Sequence, residues 1–256
     1  MPDQHITTTS APHVELERSP GVHGVTSRRD FLRVVGVAGA ATALPAFMSA
    51  CDSSSTTEPT NGLPASGGPL VIDFAQGDPA ILQFALVLEQ IEAEFYTRVV
   101  NAFEGSSVTV GEQSVLTEIR NHEIAHRELL RGVLGASGAP VATPTFAGIN
   151  FADRAAVLAA AKAFEDLGVA AYNGATQYLT TPANVLLVAK IVSVEARHAA
   201  SIRDVLSPST TEFSPNATDE VFRPATIAAS IQANLVDKLG FLNAPAEFVQ
   251  GPRGNG

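Results

Sequence analysis

Apolar residues recur at intervals of three and four positions along four long stretches of the chain. Wound as an α-helix, each such stretch has one apolar face. The pattern predicts helices over residues 78–101, 111–134, 151–179 and 182–206. It also predicts a shorter amphipathic helix over 225–239, with Ile227, Ile231, Leu235 and Leu239 on one face. No strand pattern of any strength appears, so the predicted fold class is all-α.

The second and fourth predicted helices contain two copies of one segment, HEIAHRELLRGVL at 122–134 and VEARHAASIRDVL at 194–206. Alignment of the copies places Glu123 on Glu195 and His126 on His198. The Glu-x-x-His spacing puts a carboxylate and an imidazole on one helix face, which is otherwise apolar. Such polar groups are costly in a core unless something satisfies them. Two facing pairs are what a dinuclear metal site needs.

The first and third predicted helices share a second repeat, in which a glutamate precedes a tyrosine by seven residues. The pairs are Glu89 with Tyr96 and Glu165 with Tyr172. Seven residues are about two helical turns, so each tyrosine is expected on the face of its own glutamate. The chain order is therefore Glu, Glu-x-x-His, Glu, Glu-x-x-His on four successive helices.

This order, within residues 78–206, resembles the ferritin-like superfamily, in particular its small exported bacterial members. In the di-iron and di-manganese members, two helices each supply a Glu and the other two each supply a Glu-x-x-His. The resemblance implies a four-helix bundle with a long crossover between helices two and three, here the Gly- and Pro-rich segment 135–150, plus the short C-terminal helix. The implied metal ligands are Glu89, Glu123, His126, Glu165, Glu195 and His198.

In this interpretation Glu123 and Glu195 bridge two metal ions, and Glu89 and Glu165 are terminal ligands. The two histidines of the motifs each bind one ion as neutral imidazole. Carboxylate-rich ligation favours two Fe or two Mn ions over zinc or copper. Tyr96 and Tyr172 are interpreted as groups that orient carboxylates, with plain core aromatics as the alternative.

The roles of two further residues are open, and the Glu-x-x-His motif has two interpretations without metal. Glu92 lies three positions after Glu89 and is either an extra ligand or its replacement; Glu89 is favoured by its tyrosine spacing. His122 is about 100° around the helix from Glu123 and is interpreted as a boundary residue. A single Glu-x-x-His is usually a surface pair. The repeat could also persist from an ancestor after loss of metal, with its glutamates protonated or paired with arginine.

Composition limits the classes of partner. The 256 residues, 45% of them hydrophobic, suffice for one sizeable core. The net charge of −10, with no basic patch, argues against nucleic acid as a partner. The single cysteine, Cys51, excludes an intrachain disulfide and a thiolate metal site. The sequence leaves open whether copies of the chain associate.

The first 51 residues are interpreted as an export signal that follows a disordered leader over 1–26. Residues 27–33 (SRRDFLR) resemble the twin-arginine consensus, with Arg33 where Lys is usual. The apolar run 34–50 is rich in Ala and Gly and contains Pro45, so a cleaved signal is favoured over a transmembrane anchor. Met48-Ser49-Ala50-Cys51 looks like a lipoprotein box with Met in place of the usual Leu; the alternative is an ordinary cleavage site.

These features predict four regions: a signal at 1–51, a flexible linker at 52–76, a ferritin-like bundle at 77–240 and a loose tail at 241–256. Lipidation of Cys51 would anchor the protein to a membrane surface, in the periplasm or on the outer face of the cytoplasmic membrane.

The resemblance implies chemistry on peroxide or dioxygen, or oxidation of ferrous iron, with the small oxidant or metal ion as substrate. The expected protein is thus an exported oxidoreductase of the peroxidase, catalase or ferroxidase type. The alternative is a non-enzymatic envelope protein that keeps the bundle for a structural, stress or desiccation role.

Overall fold

A computed structural model describes residues 70–135 and 138–245 of the protein. Its long elements are the helices α1 (Asp78–Asn101), α2 (Val110–Leu134), α3 (Arg154–Thr176) and α4 (Pro182–Leu206). They are followed by a short helix α5 (Pro224–Ile231), and two short strands, β1 (Leu70–Asp73) and β2 (Leu239–Leu242), flank the helical part. The predicted four-helix bundle, long crossover and short C-terminal helix are thus confirmed.

Helix α1 is the central helix of the bundle. It packs along α2, and α3 packs along α4, so the bundle consists of two helical hairpins. Every residue of α1 from 85 to 93 is buried, which means that α1 is covered on all sides at this level. Two of these buried residues, Glu89 and Glu92, carry carboxylates.

The crossover from α2 to α3 covers part of α1 and is held there by side-chain amides. Gln90 donates from Nε2 to the carbonyl of Pro140 (3.2 Å) and accepts at Oε1 from the backbone N–H of Ala142 (3.2 Å). Gln83 donates to the carbonyl of Gly138 at 3.0 Å. A buried amide with both ends bonded fixes the path of a loop that has no regular structure of its own.

Helix starts are fixed by polar groups that serve the unpaired N–H groups of the first turn. Thr109 and Glu112 form a capping box at the start of α2. The start of α4 is held from another helix, because Asp78 of α1 accepts from the N–H groups of Thr180 (2.9 Å) and Thr181 (3.0 Å) and from Asn184 (2.9 Å). Asp78 thereby ties the beginnings of α1 and α4 together.

The sequence did not predict the pairing of β1 with β2. The strands are parallel, with Leu70 opposite Leu239 and Asp73 opposite Leu242. Residues 70–76, which the sequence analysis placed in the linker, form β1 and a 3₁₀ turn. Residues 241 and 242, which it placed in the tail, belong to β2. Four-residue strands are too short for an alternating pattern to stand out, and their pairing depends on a partner far along the chain.

The predicted last helix, 225–239, was too long. Helix α5 ends at Ile231 and is followed by a 3₁₀ turn, Gln232–Asn234, after which Leu235 is extended. The Gln232 side chain holds the chain that follows: its Nε2 donates to the carbonyl of Asp237 (2.9 Å) and its Oε1 accepts from the N–H of Leu239 (3.1 Å). Leu235 and Leu239 are nevertheless buried, as the periodicity predicted. The apolar spacing marked the buried residues correctly and their backbone conformation incorrectly.

The predicted export signal, Cys51 and linker residues 52–69 lie outside the described residues, as does the tail from 246 onward. In the part of the chain that the structure describes, no helix combines the length and apolar character needed to cross a membrane.

Candidate metal centre

The structure brings the six predicted ligand residues together in the middle of the bundle. They form two overlapping groups, Glu89, Glu123, His126, Glu195 and Glu123, Glu165, Glu195, His198. In each group one ligand atom per residue lies within 4.8 Å of the others. Glu123 and Glu195 belong to both groups, which is the position that bridging ligands would occupy.

Each histidine lies closest to the glutamate of the opposite repeat. Nδ1 of His126 is 2.9 Å from Oε1 of Glu195, and Nδ1 of His198 is 2.8 Å from Oε1 of Glu123. The glutamate three residues before each histidine is farther away, at 3.5 Å for Glu123 and 4.0 Å for Glu195. The two Glu-x-x-His motifs therefore interlock across the bundle axis.

The terminal glutamates complete the two groups, one on each side. Oε2 of Glu89 lies 3.6 Å from Nδ1 of His126, and Oε2 of Glu165 lies 3.5 Å from Nδ1 of His198. All four glutamates are fully buried, and the two histidines are nearly so. The basic partners of these glutamates within the described residues are the two histidines, so of the two alternatives for a metal-free descendant the structure shows no arginine pairing.

The inward-facing atoms of the cluster are not satisfied by hydrogen bonds. Both carboxylate oxygens of Glu123 and Glu195, Oε2 of Glu89 and Glu165, and Nδ1 of both histidines are buried without a hydrogen-bond partner. Short distances such as 2.8 Å are present, but the ring N–H directions do not point at the oxygens. Unbonded acceptor atoms that converge on one volume fit a cation, because a cation satisfies several of them at once.

Burial and crowding of like charges shift the pKa values of the cluster. Burial raises the pKa of Glu89 to about 8 and also raises that of Glu165, and neighbouring carboxylates add to both shifts. The pKa of Glu195 is raised for the same reasons. Burial acts on Glu123 in the same direction, but contacts with both histidines outweigh it and lower its pKa to about 2.

The pKa values of the two histidines are raised, against the effect of burial. Burial favours neutral imidazole, yet the surrounding carboxylates raise the pKa of His126 to about 12 and that of His198 to about 10. Without metal, the cluster therefore compensates its negative charge with bound protons. Divalent cations would replace those protons, which couples metal binding to proton release.

The two tyrosines bond to carboxylates of the cluster, but not to the glutamate of their own helix. The Tyr96 hydroxyl donates to Oε1 of Glu165, and the Tyr172 hydroxyl donates to Oε1 of Glu89. The predicted tyrosines thus contact carboxylates, with the partners exchanged between α1 and α3. Burial, strengthened by the adjacent glutamates, raises the pKa of both hydroxyls, so each remains protonated and able to donate.

Glu92 is a fifth buried carboxylate at the edge of the cluster and belongs to neither ligand group. Burial and the four neighbouring glutamates raise its pKa. It faces Gly168, where a Cβ atom would lie 3.0 Å from Oε1 of Glu92 and 3.6 Å from Oε2 of Glu195. Gly168 therefore provides the space in which the Glu92 carboxylate sits.

The sequence contained a signal for this contact. The offset that aligns Glu89 with Glu165 and Tyr96 with Tyr172 also aligns Glu92 with Gly168. One repeat thus supplies a carboxylate where the other has no side chain.

His122 is closer to the cluster than its interpretation as a boundary residue implied. Its Nδ1 lies 2.9 Å from Nε2 of His198, and the two ring planes are only 12° apart. Burial and the neighbouring histidines lower the pKa of His122. The helical angle from Glu123 did not predict this contact, because it depends on the distance between α2 and α4.

Comparison with protein-family models agrees with this architecture. A family model described as "Ferritin-like domain" matches residues 77–208, a segment that contains α1 to α4 and all six predicted ligand residues. Among solved structures, the chain is similar to a conserved hypothetical protein from Mycobacterium tuberculosis, at 20% identity and a TM-score of 0.46, over 53% of this chain and 94% of that one. No protein with a curated description matches. The chain belongs to the family of proteins with a ferritin-like domain.

Proposed function

We propose that this protein binds two Fe or two Mn ions among its four long helices and acts on peroxide or dioxygen, or oxidises ferrous iron, at the cell envelope. The observation that carries the proposal is the pair of overlapping ligand groups that share Glu123 and Glu195. Their inward atoms lack hydrogen bonds although they are buried.

The charge of the candidate ligand set supports the binding of two divalent ions. Glu89, Glu123, Glu165 and Glu195 together carry four negative charges when ionised, and two divalent cations carry four positive charges. Neutral histidines add no charge, so the ligand set balances two such ions. Glu92 belongs to neither ligand group, so that fifth carboxyl group lies outside this balance, and burial and the neighbouring glutamates raise its pKa.

The donor set supports iron or manganese. Carboxylate oxygens outnumber imidazole nitrogens in each group, and no thiolate is present in either. Two ions of these metals, when bound, supply the electrons exchanged with peroxide or dioxygen.

The protein's own residues would hold and orient the centre. The hydroxyls of Tyr96 and Tyr172 each fix one oxygen of a terminal glutamate, so that the other oxygen, Oε2, faces the cluster. Apolar residues of α1 and α3 around the glutamates exclude bulk water and strengthen the electrostatic interactions inside.

The test is elemental analysis of the purified full chain together with a peroxide-consumption assay. Wild type is expected to hold about two Fe or Mn ions per chain and to consume peroxide. The double variant Glu123→Gln/Glu195→Gln is expected to lose both properties while it remains helical by circular dichroism. Glu118→Gln, an exposed position on the same helix, is the matched control. Fewer than one ion per two chains in the wild type would contradict the proposal.

A ferrous-iron oxidation assay and the stress phenotype of cells that carry the double variant, added to these measurements, separate the alternative role. A protein that binds metal but turns over neither peroxide nor ferrous iron, and whose double variant has an unchanged stress phenotype, would be a structural or stress-related envelope protein.

We also propose export by the twin-arginine route and lipidation at Cys51, on the sequence of residues 27–33 and 48–51. Arg28→Lys/Arg29→Lys is expected to keep the protein in the cytoplasm. Cys51→Ser is expected to move it from the membrane fraction to the soluble fraction. Unchanged fractionation of either variant would contradict the corresponding proposal.

A further inference from the structure

The two halves of the candidate metal centre differ in the contact made by the outward-facing nitrogen of their histidine, His126 or His198. Nε2 of His198, the nitrogen that faces away from the carboxylates, lies 2.9 Å from Nδ1 of His122. The position equivalent to His122 in the other repeat is Val194, which has no polar side-chain atom. Among the described residues, the structure records no corresponding ring-nitrogen contact for Nε2 of His126.

The direction of the His198 ring explains what the contact does. Nδ1 of His198 faces Glu123 and Glu165, so Nδ1 is the nitrogen that would bind a metal. A neutral imidazole that binds metal through Nδ1 carries its hydrogen on Nε2. Nε2 of His198 then donates to Nδ1 of His122 over 2.9 Å, between rings whose planes are nearly parallel.

We infer that His122 is a positioning residue for His198: it accepts the Nε2 hydrogen, fixes the ring and tautomer, and makes the His198 half of the centre the tighter metal site. The inference rests on the proposed function, because it assumes that His198 binds a metal. Loss of a hydrogen-bond partner of a metal-binding histidine typically lowers metal affinity about 10- to 100-fold.

The exposure of the two rings agrees with this asymmetry. The His198 side chain is 6% exposed and the His126 side chain 11% exposed, so the unsupported ring is also the one more open to solvent. His122 itself is exposed, so a substitution there removes the contact without leaving a cavity in the core.

The experiment is a Co²⁺ titration of the metal-free full chain, followed by calorimetry and visible absorption. Wild type is expected to bind two Co²⁺ ions with different affinities. His122→Leu is expected to weaken the tighter site about 10- to 100-fold and to bring the two affinities together. His122→Asn is expected to keep the wild-type affinities within a few-fold, because Oδ1 of asparagine accepts where Nδ1 of histidine does.

A second measurement reports on the ring directly. In the Zn²⁺-loaded protein, ¹⁵N NMR of His198 is expected to show the hydrogen on Nε2 in wild type and in His122→Asn, and faster exchange of that hydrogen with solvent in His122→Leu. Asn121→Leu, an adjacent exposed substitution, is the control for a general effect on α2 and is expected to change neither measurement.

The outcomes are distinguishable. Two equal Co²⁺ sites in wild type, or equal losses in His122→Leu and His122→Asn, would overturn the inference and leave the proposed function intact. A wild-type chain that binds no Co²⁺ would overturn both.

Discussion

Tyr96 of α1 donates its hydroxyl hydrogen to Glu165 of α3, and not to Glu89, which precedes it by seven residues on its own helix. Tyr172 of α3 bonds in the same way to Glu89. The two helices thus exchange hydrogen bonds through the buried centre. Each tyrosine links one helical hairpin to the other and orients a carboxylate of the candidate ligand set.

Tyr96→Phe is expected to weaken both folding and metal binding. The substitution leaves a buried carboxylate oxygen of Glu165 without its donor, which costs about 1–3 kcal/mol of unfolding free energy. Metal affinity is expected to fall about 10-fold, because the carboxylate is no longer held. Urea unfolding and Mn²⁺ titration measure the two effects. Tyr178→Phe, in the tyrosine outside the cluster, serves as control for metal affinity, and an equal loss of affinity in both variants would contradict the assignment.

Gly168→Ala is expected to destabilise the protein by about 1–3 kcal/mol. The added Cβ would lie 3.0 Å from Oε1 of Glu92 in a region that is buried on all sides. Because the conflict is between these two residues, Glu92→Ala in the same chain is expected to relieve it, with an interaction energy of about 0.5–3 kcal/mol in a double-mutant cycle.

Gly132→Ala is the matched control for this prediction. Gly132 is an exposed helical glycine with open space around its Cβ position. Alanine there is expected to stabilise α2 by about 0.5–1 kcal/mol. Additive effects of Gly168→Ala and Glu92→Ala would show that the glycine is not required by the carboxylate.

Metal affinity is expected to rise with pH up to and beyond pH 8. The metal-free centre holds protons on Glu89, whose pKa is about 8, and on His198, whose pKa is about 10. Metal must displace these protons, so acidic conditions oppose binding and alkaline conditions favour it. Calorimetry of Mn²⁺ binding in buffers of different ionisation enthalpy counts the protons released. Binding without proton release at pH 7 would exclude the protonated metal-free centre.

Asp78→Ala is expected to lower the unfolding free energy by about 2–3 kcal/mol, because it removes a cap that serves the start of α4. Burial opposes ionisation of Asp78, but bonds from Thr180, Asn184 and Thr181 outweigh it and hold its pKa below the ordinary value. A depressed folded-state pKa gives stability above the unfolded pKa of 3.8 that is lost as pH falls. The difference between wild type and variant in urea unfolding should therefore shrink progressively as pH falls below 3.8 towards the lower pKa of the folded state; a constant difference would mean that the carboxylate charge is not the stabilising group.

Periodicity was sufficient to predict what lies within one helix. The spacing of Glu123 and His126, and of Glu195 and His198, is local, so the shared face followed directly from helix geometry. The four long helices followed from the same argument, whereas the convergence of six residues in the bundle core was implied by the resemblance to the ferritin-like superfamily.

Relations between helices could not be predicted in that way. The exchange of tyrosine partners and the His122–His198 contact depend on the rotation and separation of packed helices, which side-chain packing sets. The contact of Glu92 with Gly168 is an intermediate case, since aligned repeats identify the pair but not the distance. The path of the chain after α5 depends on one side chain, Gln232, whose hydrogen-bond partners lie beyond the helix.

The parallel pairing of β1 with β2 has a mechanical consequence. Leu70 lies opposite Leu239, so a strand that precedes all the helices pairs with a strand that follows them. Tension applied to the protein ahead of Leu70 therefore loads the inter-strand hydrogen bonds before it reaches α1. We therefore expect the small sheet to resist a pulling force on that side before the four long helices do.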